Sequence, residues 1–124
     1  MILGIGIDVV HVRRIRHWMA MPGLVDRFFH PDEVTAARDR GEAAAALSLA
    51  ARFAAKEAFG KASGSGLKGI SLRDIQVINN HNGRPEIRLY GSALARLEAM
   101  GGRTVHISLT HESDNAIAVA LIED

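Results

Sequence analysis

At 124 residues, with 48% hydrophobic but only 5% aromatic residues, the chain supports one domain whose core is built from Ala, Val, Ile and Leu. A formal charge of +1 argues against broad nucleic-acid binding, and the lack of cysteine excludes disulfides, thiolate metal sites and a cysteine nucleophile. No run is long and apolar enough to cross a membrane, and Met1-Ile2-Leu3 passes straight into strand-like sequence without a secretory segment, so a cytoplasmic protein is expected.

Ile2 to Val10 reads as a first strand, with Leu3, Ile5, Ile7 and Val9 on one side and Gly4, Gly6 and Asp8 on the other. Two glycines on the face that carries an acid leave room for another backbone or a ligand. Gly-Ile-Gly is most often a packing notch, and without a third glycine and a following helix it is no dinucleotide fingerprint. A short basic helix follows from about His11 to Met21 and is closed by Pro22-Gly23. Val12, Ile15 and Met19 form its buried stripe. Arg13, Arg14, Arg16 and His17 form its outer side, which is either a solvated face or a surface for an acidic protein partner. Trp18 is assigned to the core. Arg27-Phe28-Phe29 leads into His30-Pro31-Asp32-Glu33, where proline followed by two acids starts another helix.

The strongest helix signal is the stretch from Glu42 to Gly64, rich in alanine and free of proline and β-branched residues. Apolar residues cover nearly every side, as in a helix buried in a core or at a subunit interface, leaving Ser48, Arg52 and Lys56 as a narrow solvated sector. Glu57 shares its face with Ala46, Ala50, Phe53, Ala54 and Gly60, and a carboxylate in that setting needs a partner. Two are available: Lys61 at i+4, or a metal ion or phosphate-bearing ligand.

Ser63 to Gly69 is a glycine-rich loop. Asp74 to Ile78 and Pro85 to Leu89 form a hairpin across an Asn-Gly turn. Ser92 caps a helix that ends at Gly101-Gly102. Val105, Ile107 and Leu109 alternate with polar residues in a penultimate strand, and Ala116 to Ile122 is a continuous apolar strand, expected to be buried on both faces. The fold class is α+β: a small single domain spanning residues 1–124, about five strands, one long buried helix and three shorter ones.

The residues that could carry chemistry are an acid at a strand end (Asp8), an acid on a buried helix (Glu57) and a set of cations, Arg52, Lys56, Lys61 and His111. Two carboxylates with nearby cations suit a magnesium–diphosphate site, since magnesium takes hard oxygen ligands from one or two carboxylates plus substrate phosphates. Scattered histidines do not make a zinc site.

Three blocks, Gly4-Ile5-Gly6-Ile7-Asp8-Val9-Val10, Arg52-Phe53-Ala54-Ala55-Lys56-Glu57-Ala58-Phe59-Gly60-Lys61-Ala62 and Ser108-Leu109-Thr110-His111, resemble the signature blocks of the holo-[acyl-carrier-protein] synthase group of the 4′-phosphopantetheinyl transferase family. Gly83-Arg84-Pro85 is similar to that family's hairpin, so the resemblance covers essentially the whole chain. It implies transfer of 4′-phosphopantetheine from coenzyme A to a serine of an apo acyl carrier protein, with release of adenosine 3′,5′-bisphosphate, by a homotrimer whose sites lie between subunits. By position it implies Asp8 and Glu57 as magnesium ligands and Lys61 on the diphosphate. Arg52, Lys61, Pro85 and His111 would contact coenzyme A, and Arg14 would meet the carrier protein. His11 stands where the family usually has an acid. The rival readings are a coenzyme A or carrier-protein binding module without turnover, and a magnesium-dependent nucleotide hydrolase; the acid pair counts against the first, and the lack of a further acid cluster against the second.

Overall fold

The alanine run forms a 21-residue helix, Glu42–Ala62, buried along most of its length. The computed structural model describes residues 1–124. In chain order the elements are β1 (Ile2–His11), α1 (Val12–Met19), α2 (Leu24–Phe28), α3 (Pro31–Arg38), α4 (Glu42–Ala62), a 3-10 turn (Leu72–Asp74), β2 (Ile75–Asn79), β3 (Pro85–Leu89), α5 (Gly91–Ala99), β4 (Thr104–His111) and β5 (Asn115–Glu123). The α+β expectation of five strands and one long helix holds; the shorter helices number four instead of three. The extra one, α2, is a five-residue helix entered through Gly23 at a φ of 79°.

β1, β5 and β4 make one antiparallel sheet in that order, and β2 and β3 make a separate hairpin. The inner face of the larger sheet is made of small residues: Gly4 and Gly6 on β1, and Ala116, Ala118 and Ala120 on β5. This lets α4 lie unusually close. A Cβ on Gly4 would sit 1.9 Å from the carbonyl oxygen of Ala62, and one on Gly6 2.1 Å from that of Ala58. The two glycines are therefore a notch for a helix backbone, the commoner of the readings open to the sequence. Larger side chains fill the far side of α4, where Leu49 and Phe59 are fully buried. Truncating either to alanine would cost roughly 2–5 kcal/mol.

The outer face of the sheet is apolar yet uncovered. Ile5, Ile7 and Val9 are 66%, 56% and 55% exposed, and they stand opposite the half-buried Leu121, Val119 and Ile117 of β5. β5 is thus not buried on both faces within one chain; its burial alternates, with only Ala116, Ala118, Ala120 and Ile122 enclosed. The cap of α5 also differs from expectation. Tyr90 is the N-cap residue, while the Asp74 carboxylate accepts from Ser92 N at 2.9 Å and from its hydroxyl at 2.6 Å. No helix is long and apolar enough to cross a membrane.

Candidate active site

On β1 the inward positions run Gly4, Gly6, Asp8, and the glycines already fix the strand against Ala62 and Ala58 of α4. Two strand residues advance about 6.6 Å and four helix residues about 6 Å, so Asp8 falls beside the next turn of α4. That turn carries Glu57, and Lys61 lies one turn back, beside Gly6. Lys61 does not pair with Glu57, the nearest candidate in sequence. Its Nζ donates to Asp8 Oδ1 at 2.9 Å and to the Ile7 carbonyl at 3.0 Å. Asp8 is mostly covered at 17% side-chain exposure, and Lys61 reaches it from solvent at 52%.

Glu57 has no ion-pair partner of its own. Burial pushes its carboxyl above the usual range, the Asp8 charge pushes further in the same direction, and Lys61 and Arg14 pull partly back. The charge of Asp8 acting on Glu57 is a repulsion that a bound cation relieves. No group of three or more His, Cys, Asp or Glu side chains converges anywhere in the chain. An all-protein cage is therefore ruled out, and a hard cation here would draw its remaining ligands from other oxygens, in the manner of magnesium. The donor set fits that ion.

Arg14 belongs to the same corner. Its guanidinium lies over the Trp18 ring at 4.8 Å and the Phe53 ring at 5.4 Å, so the tryptophan assigned to the core also serves as its seat. Trp18 in turn packs on Phe28 and Phe53 with ring centroids 5.1 and 4.9 Å apart.

The other three residues singled out from sequence lie elsewhere. Arg52, Pro85 and His111 line one cleft of about 310 Å³ between α4, the β2–β3 hairpin and the end of β4, together with Arg40, Ser48 and Asn79. Glu57 and Arg52 are five residues apart on a helix, about 140° around its axis, so one chain cannot turn both into the same hollow. Sequence reasoning missed Arg40. It stands at the turn before α4, and its only signal was a cation next to Gly41. Arg40 and Arg52 are close enough that the charge of one acts on the other. Burial holds the Arg52 guanidinium below its ordinary value, while Glu33 opposes that effect and Arg40 adds to it. Like charges converging on a cleft that also holds a histidine make it a receptor for anions.

The solvated sector expected on α4 is a correction. Arg52 is buried with its Nε donating to the Val77 carbonyl at 3.2 Å and its Nη1 to the Ser48 hydroxyl. Lys56 is 0% exposed, and its Nζ meets Glu33 Oε1 at 2.6 Å. Helix periodicity could not reveal this, because the partner comes from α3, 23 residues upstream.

An acid pair with an attendant lysine, and a separate arginine-lined cleft, are chemistry suited to a ligand that carries phosphate. Residues 4–120 match the model of the 4′-phosphopantetheinyl transferase superfamily. The chain belongs to that superfamily. Holo-[acyl-carrier-protein] synthase from Treponema denticola is 51% identical to it over 123 residues, spanning 99% of each chain. The synthase of the same name from Trichlorobacter lovleyi is 43% identical over 126 residues, covering 99% of this chain and 98% of that one. Among solved structures, the synthase from Neisseria meningitidis superposes with a TM-score of 0.87 at 37% identity, covering 100% of both chains. The Helicobacter pylori synthase, solved in complex with coenzyme A, gives 0.82 at 29% identity, covering 96% of this chain and 99% of that one.

Proposed function

We propose that the chain is a holo-[acyl-carrier-protein] synthase, which moves 4′-phosphopantetheine from coenzyme A to a serine of apo acyl carrier protein and releases adenosine 3′,5′-bisphosphate. Residues 1–124 act as one transferase domain. The observation that carries the reading is Lys61 held on Asp8 beside an unpaired Glu57, in a chain that matches the superfamily over residues 4–120.

The serine oxygen attacks the phosphorus that bears the pantetheine arm, and the bond from that phosphorus to the bridging oxygen breaks, so the electron pair leaves with adenosine 3′,5′-bisphosphate. Such a step needs positioning and charge neutralisation more than covalent help. Asp8 and Glu57 would hold magnesium, which supplies charge neutralisation at the diphosphate oxygens when bound. Lys61 sits where it can turn from Asp8 to the leaving phosphate. Glu57 takes the serine proton, directly or through a water. Arg40, Arg52 and His111 hold the phosphate charge of the coenzyme, and Pro85 flanks it. Arg14, seated on Trp18 at the rim of the acid corner, faces the acidic carrier protein.

The two half-sites are joined by assembly. A homotrimer would bury the apolar outer sheet face around Ile5, Ile7 and Val9 and bring the acid corner of one subunit to the cleft of the next. We assign the reaction to the cytoplasm.

Incubation with coenzyme A, magnesium and an apo carrier protein, followed by mass spectrometry of the carrier, tests the activity. A phosphopantetheine mass gain is expected; hydrolysis of coenzyme A without gain, or neither event, would overturn transfer. The shared site is tested by co-expressing Asp8→Asn with His111→Ala. Assayed at low coenzyme A, each alone should be poorly active, Asp8→Asn through kcat and His111→Ala through KM for coenzyme A. Mixed assemblies should recover activity, because one interface in the mixture has an intact acid corner against an intact cleft. No recovery would exclude a site shared between subunits.

A further inference from the structure

The β2–β3 hairpin forms a sheet of its own, and a two-stranded ribbon is marginal unless its free edge is occupied. β3 takes one edge of β2. Along the other edge the outward backbone groups belong to Ile75 and Val77, and no strand meets them. Three charged side chains do. Lys56 Nζ donates to the Ile75 carbonyl at 2.6 Å, Glu33 Oε2 accepts from Val77 N at 3.0 Å, and Arg52 Nε donates to the Val77 carbonyl at 3.2 Å.

The spacing explains why this works. Arg52 and Lys56 are one turn apart on α4, about 6 Å, close to the two-residue repeat of about 6.7 Å between Val77 and Ile75. A helix can thus stand in for a strand if its side chains are long enough to span the gap. Glu33 locks the arrangement from α3. Its Oε1 accepts from Lys56 at 2.6 Å and from His30 N at 2.9 Å. The third Lys56 donor goes to the Leu72 carbonyl at 2.9 Å. Every donor of the ammonium is used, and both Lys56 and Glu33 are sealed from solvent.

What this edge controls is the cleft. One cleft wall is the face of α4 with Ser48 and Arg52, and the opposite wall is the hairpin with Val77, Asn79 and Pro85. The only side-chain bonds from α4 to β2 are those of Lys56 and Arg52, and Glu33 bonds both Lys56 and Val77. We infer that Glu33 and Lys56 are positioning residues for coenzyme A: they set the distance between the two walls of the cleft and aim Arg52 into it, without touching ligand themselves. This rests on the cleft being the coenzyme site.

The test is steady-state kinetics of the intact protein with Glu33→Gln, which keeps the volume, and with Lys56→Met, which removes all three donors. KM for coenzyme A should rise on the order of tenfold, as small misplacements of binding groups do, while kcat and KM for the carrier protein change little. Leu97→Ala, in the core at α5, serves as a control of lowered stability that leaves the edge intact. His111→Ala reports on the cleft itself. If His111→Ala raises KM for coenzyme A but Glu33→Gln and Lys56→Met do not, the positioning role is overturned and the cleft reading stands. If His111→Ala also leaves it unchanged, the cleft reading fails and takes the inference with it. An equal rise in Leu97→Ala would mean general loosening and would also overturn the role. A measurement on the unaltered protein covers the case in which the variants do not fold. Adenosine 3′,5′-bisphosphate, added as the probe, should slow hydrogen exchange at the Val77 amide, and unchanged exchange at saturation would refute the coupling.

Discussion

Lys56 and Glu57 are neighbours on α4, and their surroundings are opposite in kind. Lys56 is sealed from solvent with every donor bonded, in a set with Glu33 and Arg52 that closes the edge of a hairpin. Glu57, one residue on, faces β1, is only half-buried, and lies near a second carboxylate whose lysine it does not share. Buried charges that satisfy one another do structural work, because separating them would strand a charge in a low-dielectric interior. Charges left unsatisfied at a half-open corner are held there by the rest of the fold, and what they lack is what a ligand supplies. One helix carries both arrangements because consecutive residues point about 100° apart.

The largest effect should come from the unsatisfied side. Glu57→Gln and Asp8→Asn each replace a charged carboxylate by a neutral amide of the same size. Turnover should fall by about 10²–10³-fold or more, the scale of losses at preorganised electrostatic groups. Glu57→Gln should not lower the melting point of the metal-free protein, because it relieves repulsion between two acids, whereas Asp8→Asn offsets that relief by giving up the ion pair with Lys61. Activity against magnesium concentration, measured beside a thermal melt without metal, is the check. Near-normal turnover in both variants would place the chemistry elsewhere.

Which side of the helix is which was only partly legible in the sequence. The helix itself was, because alanine and the absence of β-branching act locally; so was the hairpin, where Gly83 takes a φ of 79° and the Asn80 side chain accepts from Asn82 N and Arg84 N. Asp8, Glu57 and Lys61 were found by motif, yet their pairing was not, since strand register and the depth of the glycine notch decide that Lys61 reaches Asp8. The burial of Lys56 and Arg52 was misread because long cationic side chains at helical spacing look solvated until their partners are known. Those partners, Glu33 and the edge of β2, are brought in by tertiary structure. Arg40 was passed over for the same reason: its meaning lies in Arg52 across the cleft.

A middle-sized effect is expected at Arg14, which borders the acid corner but is held by aromatic rings and not by an acid. Arg14→Glu should raise KM for an acidic carrier protein by roughly tenfold and weaken its salt dependence, since a rim charge acts mainly on encounter. KM for coenzyme A, which the cleft on the other side of α4 governs, should change much less. Saturation curves for both substrates at low and high salt give the comparison. Equal damage to both, or none, would remove Arg14 from docking and leave it a structural neighbour of Trp18.

The smallest effect is thermodynamic, and it separates the two sides without any assay of turnover. The charged groups acting on Glu57 are Asp8 from β1, Lys61 from α4 itself and Arg14 from α1, and with burial they leave its folded-state proton affinity raised above the ordinary value of 4.5. A raised carboxyl binds more protons folded than unfolded, so stability falls as pH rises through that interval. The cost is absent below 4.5, where Glu57 is protonated in both states, and complete above its raised value. Glu57→Gln removes it. In metal-free buffer this variant should therefore melt slightly above the parent near neutral pH, with the gap closing as pH drops below 4.5. Magnesium should reverse the order near neutrality by stabilising the parent alone, since a ligand stabilises only the form that binds it. A gap that persists unchanged into acid would have to come from packing or helix propensity, and Glu57 would then not be the strained carboxylate its surroundings describe.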